Sequence, residues 1–178
     1  MNTNKIITSQ RDLHANALIN LLVNRYHNNL KDQARIIHNH SSSLLKKDGY
    51  LYPNLSRLVK HISIFLPDLL RQFKKEERFL FPNIIALAEK RLHEGSFDYG
   101  TYGIVLDYAA EMEKQHQYML DSLQVFRELT GDYRIIEGDC RSYSMLMEKL
   151  SEFEVELTEH IHLESEVLIP DACLLKQS

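Results

Sequence analysis

Apolar residues recur at spacings of three and four along four long stretches of the chain, and turn-forming residues separate the stretches. That period belongs to helices with one buried face. The second stretch carries Leu58, Ile62, Phe65, Leu69, Gln72, Glu76 and Leu80 on one stripe, and the fourth carries Leu146, Leu150, Phe153, Leu157, His160, Glu164 and Leu168. The third gives Val105, Tyr108, Met112, His116, Met119, Leu123 and Phe126, and the first gives Val23, His27, Leu30, Ala34 and Ile37. The spacing predicts helices from near Ser9 to about Leu45, from after Pro53-Asn54 to about His93, from about Thr101 to Leu129, and from after a capping Asp139 to Pro170, which ends or bends the last. Pro67 and Pro82 predict kinks in the second helix, or a break after Phe65. Six Gly, four Pro and no valine-rich alternating runs leave little room for strands. Short connections make neighbouring helices antiparallel. The expected fold is therefore all-α: an up-down-up-down four-helix bundle in a single domain over residues 1–178, with the second and fourth helices parallel on a diagonal.

Every stripe has polar residues in its middle, and two stripes share a phrase. Lys75-Glu76-Glu77-Arg78-Phe79-Leu80-Phe81-Pro82 and Leu163-Glu164-Ser165-Glu166-Val167-Leu168-Ile169-Pro170 each place an acid six residues before a proline. Two parallel helices thus carry a carboxylate at the same height. An unpaired carboxylate in a core is heavily desolvated, and two facing each other repel unless a cation lies between them. The histidines add to this. His160 and Glu164, four apart, share a helix face, while His116 and His27 sit on the inward stripes of the third and first helices. His27 lies 18 residues before Leu45 and Gln72 lies 18 after Asn54; Glu76 lies 19 before Gly95 and His116 lies 15 after Thr101. At about 1.5 Å per residue these heights agree within roughly a turn. His27, Glu76, His116, His160 and Glu164 are therefore candidate metal ligands. The expected grouping is one position made by His116, His160, Glu76 and Glu164, and a weaker one made by His27 beside Gln72, whose amide is a poor ligand. Imidazole and carboxylate without thiolate suit iron, manganese or zinc, and two bridging acids favour a dinuclear site.

The other histidines are expected to play no part: His14, His61, His93 and His162 leave the inward stripes, His38 is about three turns from His27, and His40 is exposed. Lys74, Lys75, Glu77 and Arg78 are expected to form a solvated face. A rival ligand set, Glu113 with His116 and Glu159 with His162, has the Glu-x-x-His spacing of ferritin-like di-iron proteins, but Glu159 and His162 flank the inward positions of their helix. Charged residues make up 26% with a formal net charge of -4 and no basic block, which argues against nucleic acid or an anionic membrane as a partner. Cys140 and Cys173 are too few for a disulfide framework, no apolar signal core opens the chain, and no stretch is long enough to span a membrane. The expected location is the cytoplasm.

On these residues the chain resembles the hemerythrin-like cation-binding domain, and most closely the repair of iron centres, or iron-sulfur cluster repair di-iron, family. Arg25-Tyr26-His27 is similar to its first-helix histidine motif, and Glu76-Glu77 with Leu80-Phe81-Pro82 to its second-helix motif, in which an HxxxE pair precedes an apolar pair and proline. Glu113-x-x-His116 is similar to the third-helix histidine, and His160-Ile161-His162-Leu163-Glu164 with Pro170 to the fourth-helix HxxxE motif. Gln72 stands where the family has its second-helix histidine, and the small N-terminal cysteine-bearing domain of many members is expected to be missing. The resemblance implies a non-haem di-iron centre bridged by Glu76 and Glu164, with oxygen or nitric oxide as small ligands, in proteins tied to recovery of iron-sulfur enzymes after nitrosative or oxidative stress. With no general base or nucleophile beside the cage, binding or sensing is favoured. The alternatives are a di-iron oxidase or nitric oxide reductase and a metal-free interaction scaffold.

Overall fold

The periodic stretches become four long helices in the structure, a computed structural model that describes residues 15–94, 98–135 and 137–174. The expected start near Ser9, His14, Gly95 and the side chain of His93 lie outside the described residues. Helix α1 covers 15–48 and passes through a π turn at Leu22–His27 before the α-helical Asn28–Asp48. A single 3-10 turn, Gly49–Leu51, leads to α2, which covers 55–94 as Leu55–Lys75, a π turn at Glu76–Leu80, and Phe81–Glu94. Helix α3 is Tyr99–Thr130. Helix α4 covers 141–174 as Arg141–Leu163, a π turn at Glu164–Leu168, and Ile169–Leu174.

Local chemistry sets the ends. The Asp98 carboxylate accepts from the backbone N–H groups of Gly100 and Thr101 and so caps α3. Gly131, at φ +63°, ends it in the left-handed conformation that glycine adopts without strain. The expected cap Asp139 is not the residue that starts α4. That residue is Cys140, in extended backbone, whose N–H donates to the Tyr52 hydroxyl at 3.0 Å and ties the helix start to the α1–α2 connection.

Side-chain pairs fix the directions. His27 meets His160 while His40 meets Ser142, so α1 and α4 run antiparallel. Tyr118 meets Asp68 while Lys75 meets Glu111, so α2 and α3 do as well. The bundle is up-down-up-down, as the loop lengths require. Helix α1 packs most closely on α4 and α2, and α3 lies mainly against α2 and more lightly on α4. Most of the buried residues are hydrophobic, with Phe65 edge-on to Phe126 and Phe153 at 5.5 and 6.2 Å. Among the described residues no helix is long and apolar enough to cross a membrane.

The break expected after Phe65 does not occur. Helix α2 is unbroken from Leu55 to Lys75 through Pro67, which lies on the solvent face while Phe65, Leu66 and Leu69 are buried beside it. Core packing on both sides outweighs the lost hydrogen bond. Pro82 and Pro170 each follow a π turn, and α4 continues past Pro170 to Leu174 instead of stopping there.

Candidate metal centre

The polar middle of the four stripes closes on itself in the core. His27, Glu76, His160 and Glu164 are between 0 and 1% exposed, and His116 and Gln72 are buried with them. One ligating atom from each of His27, Glu76, His160 and Glu164 lies within 4.8 Å of the others, a set that could hold a metal ion. Three of these side chains sit at the edge of a π turn: His27 is the last residue of one, and Glu76 and Glu164 are the first residues of the others. In each, the ladder slips by one residue. Phe81 N–H donates to the Glu76 carbonyl and Ile169 N–H to the Glu164 carbonyl, five residues back.

The two carboxylates have a divided geometry. Glu76 Oε2 is 3.4 Å from His27 Nε2, while its Oε1 accepts from Gln72 Nε2 at 2.8 Å. Glu164 Oε1 is 3.5 Å from His160 Nε2, while its Oε2 is 3.0 Å from His116 Nε2. His27 Nε2 and His160 Nε2 approach to 2.9 Å. Each acid therefore has one oxygen beside the His27–His160 pair, while its other oxygen meets Gln72 at Glu76 and His116 at Glu164. This corrects the grouping expected from helix heights, which paired His160 with His116 and His27 with Gln72. Height along a bundle axis does not say which neighbour a side chain faces. Helix α1 lies directly against α4, which brings His27 to His160, while His116 on α3 meets Glu164 and Ser165 of α4.

Electrostatics make the cluster uncomfortable without a cation. Burial pushes both carboxyls well above the usual carboxylate range, and at Glu76 the neighbouring Glu164 adds to the shift. Burial also lowers all three imidazoles: His27 to about 4, His116 modestly, and His160 well down, where His27 and His116 add to it. The imidazoles are thus neutral at ordinary pH, the form that binds metal. Among the described residues Glu76 Oε2 and Glu164 Oε1 are buried with no hydrogen-bond donor. Two orphaned carboxylate oxygens beside neutral imidazole nitrogens fit a transition-metal cation, whose charge would bring both carboxyls back to their ionised form.

The support behind the histidines was not legible in the sequence. Glu77, expected on a solvated face, is instead only partly exposed: it accepts from His27 Nδ1–H at 2.7 Å and from Lys31 Nζ at 2.6 Å. His27 also stacks on Phe73 at 4.1 Å, and His116 Nδ1 pairs with Ser165 Oγ at 3.0 Å. The signal available was Lys31, four residues after His27 and so on its helix face. The rival set is not assembled: Glu113, Glu159 and His162 are exposed. His38 and His61 are exposed too, while His40 is half-buried against Ser142. Cys140 and Cys173 are free thiols away from the cluster.

The chain is similar to known proteins. The chain is 26% identical over 156 residues to the iron-sulfur cluster repair protein ScdA of Staphylococcus epidermidis, covering 88% of this chain and 66% of that one. It is 28% identical over 155 residues to the iron-sulfur cluster repair protein YtfE of Yersinia pseudotuberculosis, covering 87% of this chain and 64% of that one. The YtfE protein of Yersinia pestis matches to the same extent. The chain thus spans just under two thirds of the length of these curated relatives. Residues 19–172, which contain all five ligand candidates, match the family described as hemerythrin HHE cation binding domain, and this chain belongs to that family.

Proposed function

We propose that the buried cluster is a non-haem di-iron centre, with Glu76 and Glu164 as bridges, His27 and His160 completing one position and His116 the other, beside Gln72. The observation that carries this is the division of labour at the two acids, each with one oxygen toward each position. Family membership supports a cation, and the names of the relatives support iron over manganese or zinc. Iron held here would supply one-electron chemistry and affinity for oxygen or nitric oxide. The chain's own part is to keep the imidazoles neutral and to enclose the acids. We place the protein in the cytoplasm, handling iron or a diatomic gas in the repair of iron-sulfur clusters under nitrosative or oxidative stress. Its net charge of -4 gives no support to a nucleic-acid partner.

The test is elemental analysis of protein purified without a nickel column, before and after anaerobic loading with ferrous iron. One to two iron ions per chain supports the centre, the lower figure if the Gln72 position is weak. A chain that takes up none refutes it and leaves a metal-free scaffold. Repair is tested separately, by recovery of a nitric-oxide-inactivated iron-sulfur dehydratase on adding the loaded protein. Steady consumption of oxygen or nitric oxide without recovery would point to an oxidase or reductase.

A further inference from the structure

The histidines differ in what stands behind them: Glu77 behind His27, Ser165 behind His116, and no hydrogen-bond partner among the described residues behind His160 Nδ1. Adjacent residues on a helix point about 100° apart, and here Glu76 is buried while Glu77 is 28% exposed. Glu76 turns inward and Glu77 turns toward α1, where His27 and Lys31, four apart, present one face. A single Glu77 oxygen accepts from both, at 2.7 Å from His27 Nδ1 and 2.6 Å from Lys31 Nζ. With Nδ1 committed as the donor and His27 neutral, Nε2 turns its lone pair toward Glu76 and His160. His116 has a hydroxyl, Ser165 Oγ, in the corresponding place. A carboxylate on the far nitrogen makes imidazole a stronger ligand than a hydroxyl does. The ammonium of Lys31, 2.6 Å from the same oxygen, pairs with the Glu77 carboxylate and holds it in place.

We propose that Glu77, steadied by Lys31, is a positioning residue that fixes the tautomer and ring direction of His27 and thereby makes the His27–His160 position the tighter of the two. The proposal rests on the di-iron reading. It gives the chain a built-in order of loading, with the position backed by Glu77 filled first and the one that has lost a histidine to Gln72 filled last.

Two measurements test it. Chelator competition with cobalt(II) or ferrous iron should resolve a tight and a weak step in the wild type. Glu77→Ala should weaken the tight step by roughly 10- to 100-fold, the range for partners of metal-bound histidines, and leave the weak step in place. Glu77→Gln, which keeps an acceptor oxygen at similar reach, should recover part of the loss. Ser165→Ala should act on the weak step alone. The second readout needs no metal: nitrogen-15 shifts of the His27 ring should report a protonated Nδ1 in the metal-free wild type and a tautomer mixture in Glu77→Ala. Unchanged affinity together with an unchanged tautomer in Glu77→Ala overturns the proposal while the centre stands. A wild type that binds no metal overturns the centre, and the ring measurement still decides what Glu77 does. Glu77 is 28% exposed, so its truncation leaves the core intact.

Discussion

Gln72→His should convert a lopsided centre into a balanced one. Gln72 lies one turn before Glu76 on the buried face of α2, and its Nε2 donates to Glu76 Oε1 at 2.8 Å. A cavity of about 10 Å³, bordered by Gln72, Glu76, Leu80, Tyr108 and Met112, adjoins it. That is room for about one water, so a ring in place of the amide meets little resistance. In the metal-free protein the change removes one hydrogen bond to the buried Glu76 carboxyl, a loss of about 0.5 to 1.5 kcal/mol if the new imidazole makes no replacement. In the loaded protein it adds a nitrogen donor to a position that otherwise has His116 and one oxygen from each acid. Outer partners of metal-bound histidines alone shift affinity by about 10- to 100-fold. A direct ligand should gain at least that much, or about 1.4 to 2.8 kcal/mol at 1.4 kcal/mol per decade. The assay is metal stoichiometry with chelator competition on both proteins. The expected result is one tight and one weak ion in the wild type and two tight ions in Gln72→His. Two tight ions already in the wild type, or a weak step that does not move on adding the histidine, would refute the assignment of Gln72 to a degraded position.

Glu164→Gln, which keeps the volume but gives up the charge, should prevent stable occupancy of both positions while leaving the metal-free melting temperature unchanged or higher, because it relieves a buried acid; metal content and a melting curve check it. Stripping metal from the wild type should lower the melting temperature by roughly 5 to 11 °C, since saturation at 100 times the dissociation constant is worth about 2.7 kcal/mol and each kcal/mol moves a domain of this size by about 2 to 4 °C; an unmoved curve counts against a core site. The metal-free Glu76 and Glu164 hold protons above the usual carboxylate range whereas His27 is neutral down to about 4. Binding should therefore release protons where the acids titrate, above the usual carboxylate range, and affinity should rise with pH there; calorimetry in buffers of different ionisation enthalpy would expose proton uptake, the opposite result. At the other end of the bundle the Tyr133 hydroxyl donates to buried Glu154, which also holds Arg127. Burial and then that hydrogen bond raise the Tyr133 phenol, so the stability it contributes is complete below about pH 10, the unfolded value, and is lost as pH rises further. Tyr133→Phe should flatten the fall in melting temperature above about pH 10, and an equally steep fall would remove Tyr133 from the account.

The bundle was legible because each stripe needs a partner, and burial follows the stripes closely: Leu58, Ile62, Phe65 and Leu69 on α2, and Leu146, Leu150, Phe153 and Leu157 on α4, are at most 2% exposed. The acids were legible for the opposite reason, since Glu76 and Glu164 break those stripes. Which histidine joins which position was not, because residue counts give distance along the axis and not direction around it. Glu77 was hidden by its neighbours. Between Lys75 and Arg78 it looks like one more surface charge, and only the approach of α1 gives it His27 and Lys31.

The π turns explain the phrase that repeats at Glu76 and Glu164. Gln72, Glu76, Leu80 and Ile84 are all buried at successive steps of four, as are His160, Glu164, Leu168 and Ala172. Three such steps cover twelve residues, whereas three turns of α-helix take about 10.8, so a regular helix would carry the last residue off the core face. The surplus of about one residue is what a π turn inserts, and it falls at Glu76–Leu80 and Glu164–Leu168. Leu18, Leu22, Tyr26, Leu30 and Ala34 make four successive steps of four across the third π turn, Leu22–His27. The proline six residues after each acid has a role in the same terms. Proline has no N–H to offer and collides with the carbonyl four residues before it in a regular helix, so a widened turn just ahead of Pro82 and Pro170 suits it better than a straight one. A run of fours ending near proline is thus a sequence mark of a turn opened to aim a side chain inward, and in this chain it occurs twice, with a buried acid at the head of the turn each time.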